Sequence, residues 1–173
     1  MTKLVIQNAR LSFPSLFETE SYNGQDTGKY AATFLVEKGT KNADAIMQAV
    51  KAASAEKFGA STPKGLKSCV KDGDLVDYAG YEDCIAIKAN TKRRPVLLTR
   101  DKTPITEEDG ILYAGCYVNV SLEVYGLDNQ YGKRISCQLN GLQFSKDGES
   151  FGANNDTMSD FEPLGNDEDP FAV

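Results

Sequence analysis

The 173-residue sequence contains no histidine and no tryptophan. Without histidine there is no ordinary general base near neutral pH, no histidine-containing catalytic triad and no histidine-rich metal site. Four cysteines, Cys69, Cys84, Cys116 and Cys137, are spaced too widely for the short Cys pairs of zinc sites. No signal-peptide pattern precedes them, so they are expected to be reduced and mostly buried in a cytoplasmic protein. No apolar run approaches the roughly 20 residues of a membrane span. The glycine pairs in "GQDTGK" and "GLDNQYGKR" have three and five intervening residues, where a phosphate loop needs four followed by lysine and serine or threonine.

Carboxylates are abundant, and a metal-dependent nuclease built from them is one reading to weigh. The candidates are Asp72, Asp74 and Asp77 in "KDGDLVD" and Glu107, Glu108 and Asp109 in "EEDG". Neither group has a companion base or a ligand pattern, so both read as solvated loop acids.

The net charge of −6 is unevenly distributed. Residues 147–173 carry eight of the 25 acidic residues and no lysine or arginine. Residues 1–146 therefore hold 17 acidic against all 19 basic residues, a net +2. This split predicts a domain over 1–146 and an acidic, flexible C-terminal tail over 147–173.

Within the body, "LVIQNARLSF" (4–13) reads as a first strand stopped by Pro14, and "KYAATFLVEKG" as a second. The period then changes. "TKNADAIMQAVKAASAEKFG" is an amphipathic helix with Thr40 or Asn42 as cap, Gly59 as stop, and the stripes Ile46–Val50–Ala53 and Met47–Val50–Ser54–Phe58. "STPKGLKSCVKDGD" reads as a loop, and Ile85 and Ile87 as the covered face of another strand. The clearest sheet signal is the alternation of Cys116, Val118, Val120, Leu122 and Val124 with polar and aromatic residues, answered by Ile135, Cys137 and Leu139 after a turn. The expected fold class is mainly β with one inserted helix: an OB-fold, a five-stranded partly open β-barrel with additional hairpins and a disordered acidic tail. A small β-sandwich carrying a helix would give much the same pattern.

Positive charge gathers in "KANTKRRPVLLTRDK", where Lys88, Lys92, Arg93, Arg94, Arg100 and Lys102 face the single acid Asp101. Such a loop attracts a polyanion and releases counterions on contact. Tyr78, Tyr81, Tyr113, Tyr117, Tyr125 and Tyr131 stand where a core does not require them. Exposed rings stack on unpaired bases, each worth about 1–3 kcal/mol. Tyr117 and Tyr125 share the outward phase of one strand, and Tyr131, Lys133 and Arg134 lie in its hairpin partner. These features together favour single-stranded nucleic acid over an ordinary charged surface. An RNA-binding module and a protein–protein adaptor remain alternatives.

The segments "KRRPVLLTRDKTPIT" and "YAGCYVNVSLEVYGLDNQYGKRISCQLNGLQF", with the terminal "DEDPF", resemble phage single-stranded DNA-binding proteins of the OB-fold type. The tail is similar to the acidic tip of bacterial single-stranded DNA-binding proteins, although Ala172 and Val173 follow Phe171. The resemblance implies a non-enzymatic protein without cofactors that coats and protects single-stranded DNA during replication, recombination and repair in the cytoplasm of the infected bacterial host. For that task the charge cluster and the tyrosine grouping assign the DNA backbone to Lys88, Lys92, Arg93, Arg94, Arg100, Lys102, Lys133 and Arg134, and base stacking to Tyr113, Tyr117, Tyr125 and Tyr131. Asp167, Glu168, Asp169, Pro170 and Phe171 would recruit replication or recombination proteins and compete with DNA. A homodimer is compatible with the pattern, and no membrane is involved.

Overall fold

A computed structural model of the chain describes residues 2–59, 63–76, 78, 80–130 and 132–151. In chain order the elements are β1 (Thr2–Ser15), β2 (Ser21–Tyr22), β3 (Gln25–Asp26), β4 (Tyr30–Glu37), α1 (Lys41–Phe58), β5 (Lys67–Ser68), β6 (Val70–Asp72), β7 (Cys84–Thr91), β8 (Val96–Leu98), β9 (Tyr117–Asn129) and β10 (Gly132–Lys146). The five longest strands run β10-β9-β1-β4-β7, each antiparallel to its neighbour. The ribbon closes where β7 meets β10 in parallel, Asn90 opposite Gln138. This is the expected partly open barrel.

Beyond that single pairing β7 and β10 diverge, and the segment expected to be a loop fills the wedge. β5 lies beside β10 and β6 beside β7. Between them Cys69 donates its N–H to Ile135 O (3.0 Å) and accepts from Lys88 N (3.0 Å). Backbone groups that an open seam would leave unpaired are thereby satisfied.

The core follows the alternation of β9. Cys116, Val118, Val120, Leu122 and Val124 are all essentially inaccessible, as are Ile135, Cys137 and Leu139 of β10. In β1 the inward phase changes from Leu4 and Ile6 to Ala9 and Leu11, because the pairing with β9 shifts between Ile6 and Ala9 and Asn8 adopts φ 57°. An extra residue in one strand reverses the side-chain phase. Pro14 does not stop the strand as expected. Pairing with β4 resumes at Ser15 after a second shift, where a missing ladder donor is tolerated.

Thr40 caps α1 by accepting from Ala43 N (3.3 Å), and Gly59, at φ 85°, ends it. Ala43, Ile46, Ala49 and Ala53 pack inward with Val50 partly buried, whereas Met47 is left exposed. The helix can approach β9 closely because Gly126 lacks a side chain. A Cβ there would stand 2.4 Å from that of Lys57.

β7 is covered on both faces, not one. Ile87 and Ala89 join the barrel core, and Cys84 and Ala86 form a second, smaller cluster with Leu35 and Tyr81. Tyr81 is therefore a buried residue. The cysteines are free: Cys84, Cys116 and Cys137 are buried and Cys69 is half-buried. Burial pushes the thiols of Cys84 and Cys116 up.

Asp72 and Asp74, expected to be solvated, are pinned. Lys38 Nζ lies 2.6 Å from a carboxylate oxygen of each, and Asp74 Oδ1 also accepts from Asp83 N at 2.9 Å. Asp77 lies outside the described residues. Hydrogen bonds from Lys38 hold both carboxyls below their usual range. Depressed folded-state values contribute stability that is present above the unfolded carboxyl value of about 4 and lost as pH falls through the folded values.

Two measurements follow. In urea titrations, Leu122→Ala is expected to cost about 2–5 kcal/mol, while Met47→Ala changes stability by no more than about 0.5 kcal/mol. For Lys38→Met, the fall in urea midpoint between pH 5 and pH 3 should be smaller than for the parent. An equal fall would show that this cluster does not contribute to acid sensitivity.

Candidate nucleic-acid interface

The outward residues of β7 are Cys84, Ala86, Lys88 and Asn90. The first two are covered by Tyr81, which leaves Lys88 and Asn90, about 7 Å apart, to address what lies beyond the barrel. An aromatic group stands at the Lys88 end. The rings of Phe13 and Tyr78 meet edge to face at 5.0 Å, and Tyr78 and Tyr81 lie 5.2 Å apart. Tyr81 is anchored by a 2.8 Å hydroxyl contact with Ser12. Burial pushes its phenol up. Phe13 and Tyr78 are 56% and 52% exposed, so both rings remain accessible to solvent.

These rings border a depression of about 320 Å³ shared with Lys71, Lys88, Glu20 and Cys69. The Lys88 ammonium is not free there: it contacts the two Glu20 oxygens at 3.2 and 3.1 Å. Half-exposed pairs of this kind are worth about 0–1 kcal/mol, so a phosphate can displace the carboxylate at little cost.

At the Asn90 end lies a second groove of about 520 Å³, bordered by Lys29, Lys92, Arg93, Tyr125, Glu123 and Gln138. Tyr125 is directly opposite Ser136, and Arg134 is the next residue of the same face of β10, a diagonal separation of about 7–8 Å. Lys88 and Asn90 are successive outward positions of one strand, so the two depressions lie in succession along β7, a track bordered by Phe13, Tyr78 and Lys88 at one end and by Lys92, Arg93 and Tyr125 at the other.

The residues singled out from sequence distribute unequally over this surface. Lys88, Lys92, Arg93 and Tyr125 border the track, with Arg94 exposed in the same turn and Arg134 at its margin. Arg100 and Lys102 belong to the 99–103 turn. Gln143 binds Arg100 O at 3.0 Å, and Arg100 borders a separate depression with Phe144 and Asp147. Lys133 carries the inward phase of β10 and lies over the Phe58 ring at 5.8 Å. Tyr113 donates its hydroxyl to Asp147 Oδ1 at 2.9 Å. The Tyr117 ring is approached by Arg10 at 5.7 Å and by Lys146 at 4.8 Å. It is also eight residues from Tyr125, about 26 Å along the strand. Tyr131 and the tail residues Asp167, Glu168, Asp169, Pro170 and Phe171 lie outside the described residues.

Phe13, Lys29 and Lys71 were not singled out from sequence. Alternation from Leu11 assigns Phe13 to the core, but φ 45° at Phe13 turns the ring outward. The signal available was the proline beside it, which marks a break in the ladder.

Comparison with known proteins agrees with this architecture. The single-stranded DNA-binding protein from bacteriophage Enc34 in complex with ssDNA is 30% identical, with a TM-score of 0.74, over 87% of this chain and 89% of that one. The gp2.5 protein of bacteriophage T7 shares the fold at 12% identity, with a TM-score of 0.58, over 95% and 98%. Protein p50 of Acyrthosiphon pisum secondary endosymbiont phage 1 is 38% identical over 159 residues, 86% of each chain. The family model described as Enterobacter phage Enc34, ssDNA-binding protein, matches residues 2–171, and the chain belongs to that family of phage proteins.

Proposed function

We propose that this protein binds single-stranded DNA without catalysis and without reading sequence, along the track from Phe13 and Tyr78 to Tyr125. The observation that carries the reading is the exposed Phe13–Tyr78 pair beside Lys88, continued by Lys92 and Arg93 on the adjoining groove. Two half-exposed rings offer faces to any base, and flexible cations neutralise the backbone without reporting its sequence. Lys29, Lys71, Arg94 and Arg134 extend the phosphate contacts. Arg100, Lys102 and Lys133 add to the general field. A duplex hides its base faces and cannot use the rings.

The acidic residues 152–173 compete for the same cations, and Asp167 to Phe171 recruit replication or recombination proteins of the phage or host. Support comes from the root of this segment: Phe151 packs beside Gly80, two residues from Tyr78. The acidic stretch therefore starts next to the aromatic end of the track. The protein acts on strands exposed during replication, recombination and repair, in the cytoplasm of the infected cell.

Anisotropy of a labelled thymine oligonucleotide, its duplex and its RNA counterpart, over a range of salt, tests the reading. Single-stranded DNA should bind most tightly, with log K falling against log salt by about 0.7 per phosphate contacted. No binding at low salt would overturn it, and equal RNA affinity would remove the preference for DNA. Phe13→Ala and Tyr78→Ala should each weaken binding by about five- to 150-fold, corresponding to about 1–3 kcal/mol, whereas Met47→Ala, on the exposed face of α1, should have little effect. Glu20→Gln should tighten binding and steepen the salt dependence by about one phosphate contact, an effect that disappears in a Lys88→Gln background. Removing residues from Asp160 onward should also tighten binding at low salt. Unchanged affinity would exclude competition by the tail.

A further inference from the structure

Charge alone divides the chain after Lys146, yet the next five residues run back along the body and are held by it. Tyr113 binds Asp147 through its hydroxyl, which also accepts from Gly148 N at 3.1 Å. Arg10 donates through Nη2 to Glu149 O at 2.6 Å and through Nε to Gly115 O at 3.1 Å. Phe151 N donates to Ala114 O at 3.0 Å. The approach is so close that it needs a glycine on each side. A Cβ on Gly115 would stand 2.1 Å from Glu149 O, and one on Gly148 would stand 2.2 Å from Gly115 O.

This path delivers the Phe151 ring to a definite place. One face receives the Arg10 guanidinium at 4.1 Å. Its edge lies against Gly80, whose φ of 83° and missing side chain both suit the contact. A Cβ there would be 2.2 Å from the ring. The same ring packs on the outer cluster of Leu35, Tyr81, Cys84 and Ala86. Gly80 and Tyr81 belong to the segment that carries Tyr78, and Tyr81 is the buried ring on which Tyr78 and Phe13 lean.

We infer that Phe151, clamped by Arg10, is a positioning residue for the stacking pair: it backs the Gly80 turn and so holds Tyr78 edge to face against Phe13 with both rings presented to a base. Residues 147–151 are then a working part of the interface, although their composition groups them with the acidic tail. The inference rests on the proposed stacking role of Phe13 and Tyr78. Its physical basis is that Tyr78 is half-exposed and makes ring contacts with Phe13 and Tyr81, so its position depends on what supports the turn beneath it.

The test uses full-length Phe151→Ala, Phe151→Leu and Tyr78→Ala, with a thymine oligonucleotide as probe. Affinity, its salt slope, thermal stability and the quenching of intrinsic fluorescence are measured together. The chain has eight tyrosines and no tryptophan, so that fluorescence reports tyrosines. Phe151→Ala should weaken binding about tenfold and diminish the quenching, with the salt slope unchanged because the cations remain in place. Phe151→Leu, which refills the space against Gly80, should restore most of both. Parent-like affinity and quenching in Phe151→Ala would overturn the inference. So would a loss accompanied by a shallower salt slope and not restored by leucine, which marks general loosening of the fold. If Tyr78→Ala binds like the parent, the stacking role itself fails. If Tyr78→Ala binds weakly while Phe151→Ala does not, only the positioning role fails.

Discussion

The parallel pairing of Asn90 with Gln138 is the constraint on which the surface depends. It closes the ribbon of five strands at one point and forces β7 to serve two environments. Ile87 and Ala89 complete the barrel interior, while Lys88 and Asn90 on the opposite phase become the middle of the exposed track. Past that point the strands separate. The Cys69 segment satisfies both flanking backbones, so the barrel needs no further pairing between β7 and β10. A partly open barrel, joined at one pairing and wedged beyond it, thus has one strand whose outer face is bordered by two depressions.

The outer cluster around Tyr81 links this frame to function. A second small core on the outside of a barrel costs the chain two extra segments, the Tyr78–Tyr81 stretch and residues 147–151. What it provides is a fixed platform for two rings that cannot be buried themselves. Tyr81 contributes packing and the hydroxyl contact with Ser12, while Phe13 and Tyr78 stay half-exposed above it, the arrangement on which the proposed stacking role rests. Preorganised rings lose little conformational entropy on binding, so more of the stacking energy appears as affinity.

Charge is handled by separation along the chain. The body is weakly basic, its cations lie on strands as well as turns, and one of them, Lys88 of β7, is already held by Glu20. The half-buried Glu20 carboxylate occupies the ammonium at small cost in stability, because such pairs are nearly neutral in free energy. The acidic residues after Phe151 carry the same kind of charge.

Sequence alone determined the features set by local periodicity and composition: the β9 and β10 faces, the capped helix, the buried thiols and the split between basic body and acidic end. Each depends on residues close together in the chain, so spacing was enough to read it. Tertiary structure decided which rings and cations work together. Positive φ at Asn8 and Phe13 resets the phase of β1 and turns Phe13 outward against its alternation. Tyr113 and Tyr117, outward by pattern, are taken up by Asp147, Arg10 and Lys146, and each contact comes from a distant part of the chain. Lys92 and Arg100 are close in sequence but border different depressions, because the intervening β8 pairs with β10 and carries the chain away along that strand. Long-range contacts of this kind arise only when the ribbon closes, and no local window contains them.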